Sequence, residues 1–492
     1  MRVTIIGNLL LVLAFVLLAD SCAVNPVSGK KQLMLLSEDQ EKALGLESDP
    51  GILASYGVYD DAKLQQFITE KGKKMGAISH RPNLDYKFKV LDSPVVNAFA
   101  VPGGYVYFTR GILAYFNNEA QFAGVLGHEI GHVTARHSAQ QYSQQILAQA
   151  GLMIGMVVSE DFRKYAEVAN VGVSLLFLKF SRDHESESDK LGVAYSSQIG
   201  YDAHEMAKFF NTLSRLSGDG GQSLPTFLST HPNPDDRNKK VDEMATNWAQ
   251  KSPGAKLDVN RDSYLRMIDG LVYGEDPRQG YVENDNFYHP ELKFQYAVPS
   301  GWQLVNSPSQ VQMAPKDGKA LMIFTLSQEK TLQAAAQGLL TQYQLTKVSS
   351  RETTINGLPA LEMVAEQAAQ TQDQQQQQQQ QQSPPVRLLT YQIQYNGLIY
   401  QFLGVTEKAN YSSYEPTFMN VIKSFKELKE AGKLNRQPER IRIKTVDRSG
   451  TFADALKAFN MPEKRHKELA ILNGMELNSP VTKGMLIKVV GN

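Results

Sequence analysis

The sequence has very little cysteine and no excess of charge of either sign. Cys22 is the single cysteine among 492 residues, so no internal disulfide can form. Lysine plus arginine balance aspartate plus glutamate at 51 each, and no basic stripe is visible, which argues against nucleic acid as a partner. Hydrophobic residues make up 42% and charged residues 21%, as in a globular protein, and the length predicts two to four domains.

The N-terminal apolar run, residues 9–18, is shorter than the roughly 20 residues that span a bilayer comfortably. Because Arg2 precedes it, residues 1–22 are typical of a secretory signal. The stretch L-A-D-S-C ending at Cys22 resembles a lipobox, with Asp20 where a small neutral residue is usual. We predict acylation of Cys22 and, because Ala23 follows it, a lipid anchor in the outer membrane facing the periplasm. The alternative is a secreted or uncleaved protein in which Cys22 is incidental.

Patterning in residues 23–270 predicts a mainly helical unit with a small sheet. Ser37 opens a helix to about residue 46 with a capping box, and a second helix covers 62–75. Strands are predicted at 86–91 and 105–109. Further predicted helices cover 119–144, 165–180 continuing past 185, and 204–216. The apolar residues 146–158 are predicted to form a buried hairpin or a lid.

Two further units are predicted after residue 270. Residues 285–428 alternate strands with a helix near 331–340, and Asn356-Gly357 and Asn396-Gly397 predict hairpin turns, so this unit is α+β. A glutamine run within the loop 372–385 predicts disorder there. Residues 437–492 predict a small βααβ module.

The segment His128-Glu129-Ile130-Gly131-His132 has the H-E-x-x-H spacing of a zinc site. Positions i and i+4 differ by about 40° around a helix, so both imidazoles face one side. Two imidazoles and one carboxylate leave a coordination position of zinc open for water. Glu129 lies beside the metal and can take a proton from that water. The alternative is a helix with incidental histidines.

The third ligand must come from elsewhere in the chain. A further histidine six residues beyond His132 would define one class of zinc peptidase, but that position is Ser138. On a continuous helix, His137 lies about 140° from His132 and faces away from the metal. Another class of zinc peptidases instead uses a glutamate on a second helix as the third ligand.

Residues 182–189 supply that glutamate. Glu185 and Asp189 share a helix face at i and i+4, so we predict Glu185 as the third ligand and Asp189 as an acceptor that orients a zinc-bound imidazole. Glu187 and His184 are competing candidates and are expected to be solvated neighbours. A surface acidic cluster is the alternative for this stretch alone.

The two motifs, H-E-I-G-H and R-D-x-E-x-E-x-D, resemble the gluzincin metallopeptidases that include the CAAX prenyl protease and HtpX-type proteases, and most closely their soluble periplasmic lipoprotein branch. Residues 24–37, 97–104 and 229–237 resemble further family segments. The resemblance covers about residues 24–250. It implies a zincin-type peptidase domain with one Zn²⁺ per chain. Ser188 stands where the family usually has alanine.

From the family, His231 would sit near the zinc as a catalytic residue. It could stabilise the oxyanion, or occupy the open position in a self-inhibited state. An extended peptide could pair with the 105–109 strand by β-augmentation, with Asn97, Tyr105 and Tyr107 as substrate-binding residues.

The other two units carry weaker resemblances. Residues 285–428 resemble a PsbP-like α+β fold, and 437–492 resemble a LysM module, which suggests peptidoglycan as a further partner. The usual Gly-Asp-Thr of that module appears as Ser449-Gly450-Thr451.

The sequence therefore predicts a multidomain zinc endopeptidase of the bacterial cell envelope. Its expected substrates are unfolded, misfolded or misassembled envelope proteins. One alternative is a chaperone or scaffold lipoprotein with structural zinc and little proteolysis. Another is a wall-associated binding lipoprotein with a redundant protease domain.

Overall fold

The computed structural model describes residues 22–144, 180–218, 226–231, 236–367 and 385–492. They form two compact units, Met1–Gly274 with Glu439–Asn492, and Glu275–Pro438. The predicted signal run, the hairpin or lid at 146–158, the helix at 165–180 up to residue 179, and the glutamine run lie outside the described residues. Within the described part, no helix is long and apolar enough to cross a membrane.

The first unit begins with a short hairpin and two helices. Strands β1 (Cys22–Val24) and β2 (Lys31–Leu33) pair antiparallel. Helix α1 (Glu38–Tyr56) starts with the predicted capping box at Ser37 and runs ten residues further than expected, with Pro50 inside it. Helix α2 (Ala62–Ala77) is capped by Asp61.

A three-stranded sheet follows, formed by β3 (Lys87–Leu91), β4 (Ala98–Val101) and β5 (Tyr105–Thr109). The strand order is β3-β5-β4, with β5 parallel to β3 and antiparallel to β4. Both edges of β5 are therefore paired, and among the described residues β4 keeps one edge without a neighbouring strand.

The remaining helices of this unit pack against the sheet and against one another. They are α3 (Arg110–Tyr115), α4 (Glu119–Thr134), α5 (Arg182–Gln198), α6 (His204–Gly218), α7 (Thr226–Thr230), α8 (Arg237–Lys251) and α9 (Arg261–Met267). The side chain of Asn118 caps α4 by accepting from the Gln121 amide. Nearly every residue of α4 is buried, so this helix forms the centre of the unit.

The prediction of one continuous helix over 119–144 is wrong. Helix α4 ends at Thr134, and Arg136 has a φ of 59°, in the left-handed region. Residues 137–144 are helical again. A left-handed residue cannot continue a right-handed helix, so the direction of the chain changes between His132 and His137.

The C-terminal segment contains the predicted βααβ order. Strand β17 (Arg440–Thr445) pairs antiparallel with β20 (Leu486–Gly491), and helices α13 (Phe452–Ala458) and α14 (His466–Leu472) lie between them in sequence. A short pair, β18 (Gly450–Thr451) and β19 (Pro480–Val481), completes the segment. Its apolar side chains belong to the same core as those of α4, so it does not form a separate third unit as expected.

The second unit, Glu275–Pro438, is α+β as predicted but extends beyond 285–428 at both ends. The strands of its larger sheet are β9 (Gln303–Asn306), β10 (Gln310–Ala314), β11 (Ala320–Ser327), β12 (Leu345–Ile355), β13 (Leu358–Gln367), β14 (Val386–Tyr395) and β15 (Leu398–Glu407). Those of its smaller sheet are β6 (Tyr281–Glu283), β7 (Asn286–His289), β8 (Phe294–Ala297) and β16 (Lys426–Glu427). The larger sheet has the order β12-β13-β14-β15-β11-β10-β9 and the smaller one β16-β8-β7-β6.

Helices α10 (Leu332–Gln342), α11 (Tyr411–Ser424) and α12 (Ala431–Leu434) complete this unit. The two predicted hairpin turns are present, with Asn356-Gly357 and Asn396-Gly397 all at positive φ.

Candidate metal centre

Three helices bring four candidate ligands together in the first unit. His128 and His132 come from α4, Glu185 from α5, and His231 directly follows α7. One donor atom from each of the four lies within 4.8 Å of all the others. All four side chains are buried.

The donor spacings are close to those around a tetrahedral ion, with the two imidazole nitrogens somewhat nearer to each other. The Nε2 atoms of His128 and His132 are 3.0 Å apart. Oxygens of Glu185 lie 3.6 Å and 3.4 Å from these two nitrogens. Ligands at zinc bond lengths of about 2.0–2.2 Å lie roughly 3.3–3.6 Å from one another in a tetrahedron. The donor set, two imidazoles and a carboxylate, is also one that zinc prefers.

The close approach of α4 and α5 depends on glycine. A Cβ atom added to Gly127 of α4 would lie 2.9 Å from the main-chain oxygen of Gly192 on α5. In turn, a Cβ on Gly192 would lie 3.1 Å from the main-chain nitrogen of His128. The main chains of the two helices therefore touch at Gly127, directly before His128, and this contact keeps α5, which carries Glu185, close to the two histidines.

Glu129 lies beside the cluster and is 1% exposed. Its Oε1 has no hydrogen-bond partner among the described residues, and Nε2 of His231 is 3.8 Å from it. Burial raises the pKa of Glu129, although His231 and His128 oppose the shift. A buried carboxylate with an unsatisfied oxygen and a raised pKa is suited to accept a proton.

Asp189 and Arg237 surround the ligands. The Asp189 Oδ1 lies 2.9 Å from Nδ1 of His128, the contact expected from sequence. Arg237 was not predicted as a site residue, yet its guanidinium pairs with Asp189 at 2.6 Å and with Glu185 at 2.9 Å. Burial alone would raise the pKa of Glu185, but His231 and Arg237 outweigh it and hold the pKa well below its ordinary value. The ligand carboxylate is thereby kept ionised.

His231 stacks on Phe227, with 4.5 Å between the ring centres. Its Nδ1 is 2.8 Å from Glu185 Oε1 and 3.3 Å from His128 Nε2. Burial alone would lower the pKa of His231, but Glu185 and Glu129 outweigh it and raise the pKa. The imidazole thus lies among the ligands themselves, rather than beside them.

The expectation of a solvated side chain is wrong for His184, whereas the side chain of Glu187 is partly exposed. His184 is 8% exposed, and its ring stacks on His137 at 4.3 Å, because the helix break turns His137 toward α5. Glu187 is partly buried, and its Oε2 lies 3.1 Å from Nε2 of His137. Neither His184 nor Glu187 joins the four candidate ligands.

The predicted pairing of a peptide with residues 105–109 is also wrong, since β5 is the central strand of its sheet. Tyr107 is fully buried and donates its hydroxyl to Asp49 at 2.7 Å, so its side chain does not reach a substrate. Tyr105 is partly exposed. Asn97 is 3% exposed, and its Oδ1 has no hydrogen-bond partner among the described residues.

Comparison with known proteins agrees with this geometry. Residues 62–245 match Peptidase family M48. The matched region includes His128, Glu129, His132 and Glu185. It is consistent with a metallopeptidase domain, and it ends within α8, after Arg237.

Two relatives illustrate the likeness. The chain is 33% identical over 183 residues to "Mitochondrial metalloendopeptidase OMA1" of Arabidopsis thaliana, which is 37% of this chain and 36% of that protein. It is 27% identical over 316 residues to "Beta-barrel assembly-enhancing protease" of Yersinia pestis, which is 62% of this chain and 61% of that protein. The chain therefore spans about one third to two thirds of the length of these relatives.

Among solved structures, cyanobacterial PsbP (CyanoP) from Synechocystis sp. PCC 6803 is similar over 29% of this chain and 91% of its own, with 12% identity and a TM-score of 0.23. The PsbP-like fold of residues 285–428 stays a prediction.

Proposed function

We propose that this protein is a zinc-dependent endopeptidase of the bacterial cell envelope that hydrolyses peptide bonds of misfolded or misassembled envelope proteins. The observation that carries the proposal is the buried cluster of His128, His132 and Glu185 next to the Glu129 carboxylate, whose Oε1 has no hydrogen-bond partner among the described residues. It lies within the region that matches Peptidase family M48. Relatives named beta-barrel assembly-enhancing proteases support the envelope role.

His128, His132 and Glu185 would hold the zinc, with one ion per chain. Bound zinc supplies Lewis acidity, which makes a water molecule a better nucleophile and polarises the scissile carbonyl. Glu129 takes the proton of the attacking water and passes it to the leaving amine. Asp189 accepts from Nδ1 of His128 and so fixes the orientation of that imidazole.

His231 would control access to this site. His231 has a donor atom within 4.8 Å of one from each of the other three residues, and its Nδ1 is 3.3 Å from Nε2 of His128, which supports a resting state in which His231 fills the remaining position. For catalysis the imidazole must then move away from the cluster. The alternative is that His231 stabilises the oxyanion. The two roles predict opposite effects of His231→Ala on activity, which should rise if His231 is inhibitory and fall if it stabilises the oxyanion.

The free edge of β4 is the proposed docking edge for substrate. The Thr109 amide donates to the Asn97 carbonyl, so Asn97 and Thr109 form a hydrogen-bonded pair of the antiparallel ladder. Hydrogen bonding alternates along such a ladder, so the amides of Ala98 and Ala100 point away from β5. Ala98 is fully buried, whereas Ala100 is partly exposed, so the Ala100 amide is the donor proposed to pair with an extended peptide. Asn97 directly precedes the strand.

Attachment to the envelope is part of the same proposal. Acylation of Cys22 would tether the protein to the outer membrane on the periplasmic side. Residues 437–492 would add contact with peptidoglycan if their resemblance to a LysM module extends to binding. Acylation is tested by comparing the labelling of wild type and Cys22→Ala with a fatty-acid analogue. Binding to peptidoglycan is tested by cosedimentation with purified cell walls.

The central test compares wild type with Glu129→Gln on casein, with the zinc content of both proteins measured. Glutamine keeps the size of the side chain but cannot accept the proton, so both proteins should bind about one zinc ion, and only the wild type should cleave, in a chelator-sensitive manner.

If both proteins bind zinc and neither cleaves, the same assay with His231→Ala decides the case. Cleavage by that variant would identify His231 as an inhibitor. Absence of cleavage by His231→Ala would favour a chaperone or scaffold with structural zinc. A wild type that binds no zinc would contradict the proposal altogether.

A further inference from the structure

His137 lies against the metal site because the chain breaks after α4. Arg136, at a φ of 59°, turns the following residues back toward α5. On a continuous helix His137 would face away from His132, about 140° around the axis. Instead its Nδ1 is 3.0 Å from Nδ1 of His132, and His137 is fully buried.

The contact continues to a carboxylate. Nε2 of His137 lies 3.1 Å from Oε2 of Glu187 on α5. The hydroxyl of Ser188 is a longer contact, 3.4 Å from Nδ1 of His137. The two histidines of α4 therefore have different outer partners. His128 contacts the Asp189 carboxylate directly, whereas His132 reaches a carboxylate through a second imidazole.

Hydrogen-bond chemistry assigns the protons along this chain. His132 offers its Nε2 to the metal site, so its Nδ1 carries the hydrogen and donates. Nδ1 of His137 must then accept, which leaves the hydrogen on Nε2 of His137. That hydrogen is donated to Glu187. Each atom has one role, and the order of the three side chains fixes both imidazoles in a single tautomer.

We propose that His137 and Glu187 are positioning residues that orient His132 as a zinc ligand and raise its basicity. The inference rests on the proposed zinc site and adds two residues to it. Carboxylates and other acceptors behind a ligating histidine commonly contribute about 10- to 100-fold in metal affinity.

The test measures zinc affinity of the purified full chain by competition with a chromogenic chelator. His137→Ala should bind zinc about 10- to 100-fold more weakly than wild type. His137→Asn should recover much of the affinity, because the Asn Oδ1 can take the place of Nδ1 as acceptor. The zinc affinity of Glu187→Ala should lie between those of His137→Ala and wild type.

Two control variants isolate the effect. Ser188→Ala removes only the longer contact to His137 and should bind zinc like wild type. His204 is also paired with a carboxylate, Asp202 at 2.7 Å, but it is not among the candidate ligands. His204→Ala should therefore leave zinc affinity unchanged. With cobalt in place of zinc, the visible absorption bands should shift in His137→Ala and return in His137→Asn.

Equal zinc affinity in His137→Ala and wild type would overturn the inference. So would a His137→Asn variant no better than His137→Ala, since a purely structural role gives no reason for an acceptor to restore binding. If His137→Ala fails to fold by circular dichroism, His137→Asn and Glu187→Ala decide the question. A wild type without zinc affinity would instead overturn the proposed function itself.

Discussion

Arg237 and Asp189 form a two-pronged ion pair beneath the metal centre, with Nη2 2.6 Å from Oδ1 and Nε 2.9 Å from Oδ2. The same guanidinium reaches Glu185 and lies 4.4 Å from the ring centre of Phe210. Two buried carboxylates therefore depend on one buried cation, and the pKa of Asp189 is lowered because Arg237 outweighs the effect of burial.

We expect Arg237→Met to lower the free energy of unfolding of the first unit by about 3–5 kcal/mol, since breaking a buried ion pair leaves uncompensated charge. Zinc content should fall as well, because Glu185 and Asp189 lose their common partner. The stability and zinc content of Arg237→Lys should lie between those of Arg237→Met and wild type, since lysine has no rigid planar group that can bond both carboxylates. Thermal unfolding and metal analysis measure the two effects.

The matched control for Arg237→Met is Lys87→Met, which removes an ion pair to Asp85 that is largely exposed. Exposed pairs contribute at most about 1 kcal/mol. A loss of stability in Arg237→Met no larger than in the control would contradict the role given to Arg237.

Lys488 joins the C-terminal strand to the peptidase helices. Its fully buried ammonium donates to the main-chain oxygens of Ala114 at 2.8 Å and Phe116 at 3.0 Å. Burial holds the pKa of Lys488 well below its ordinary value. Between that lowered pKa and the ordinary value near 10.5, the unfolded chain binds more protons than the folded one, so the contribution of Lys488 to stability rises with pH.

We therefore expect Lys488→Met to destabilise the protein by about 2 kcal/mol at pH 9, because two buried carbonyls lose their donor. The difference from wild type should shrink at pH 6, where burying the ammonium costs wild type more. Urea unfolding at both pH values tests this, and a difference that does not change with pH would argue against it.

The ligand helix could be predicted from sequence because its information is local. The i, i+4 spacing of His128 and His132 fixes which side of the helix they share, and the same spacing relates Glu185 to Asp189. No knowledge of the rest of the fold is needed for either pair. These residues are the ones that the structure brings together.

The surroundings could not be predicted, because they depend on contacts distant in sequence. The break after α4 occurs at Arg136, and no glycine or proline marks it. Helix periodicity alone therefore turns His137 away from His132, whereas the structure brings the two rings together. The central position of β5 depends on β3 pairing with it in parallel, which strand patterning does not reveal. Likewise, local composition predicts that the C-terminal segment is a separate domain. The hydrogen bond from Lys488 to the Ala114 carbonyl shows instead that it packs into the first unit.

The glycine contact between α4 and α5 gives a further prediction. We expect Gly127→Ala to destabilise the first unit by about 1–3 kcal/mol, because the added methyl meets main-chain atoms that cannot rotate away. The helices must separate by a few tenths of an ångström, so zinc affinity should fall with stability. Thermal unfolding and chelator competition measure the two quantities.

Gly338→Ala is the matched control for Gly127→Ala. Gly338 lies in helix α10, and a Cβ there would meet nothing within 4 Å. Because alanine has the higher helix propensity, this variant should be more stable by about 0.5–1 kcal/mol. Destabilisation by both variants would mean that the Gly127 effect does not come from the helix contact.

The free edge of β4 leads to the last prediction, Ala100→Pro. The Ala100 amide points away from β5, so proline removes a donor to an incoming peptide without removing a bond of the sheet. We expect KM for an unfolded substrate to rise about tenfold, equivalent to the roughly 1.4 kcal/mol of one hydrogen bond, while zinc content stays at the wild-type level. Ala100→Val keeps the amide and should bind substrate almost as wild type does. Similar KM values in the proline variant and wild type would show that substrate does not pair with this edge, even if the zinc site is intact.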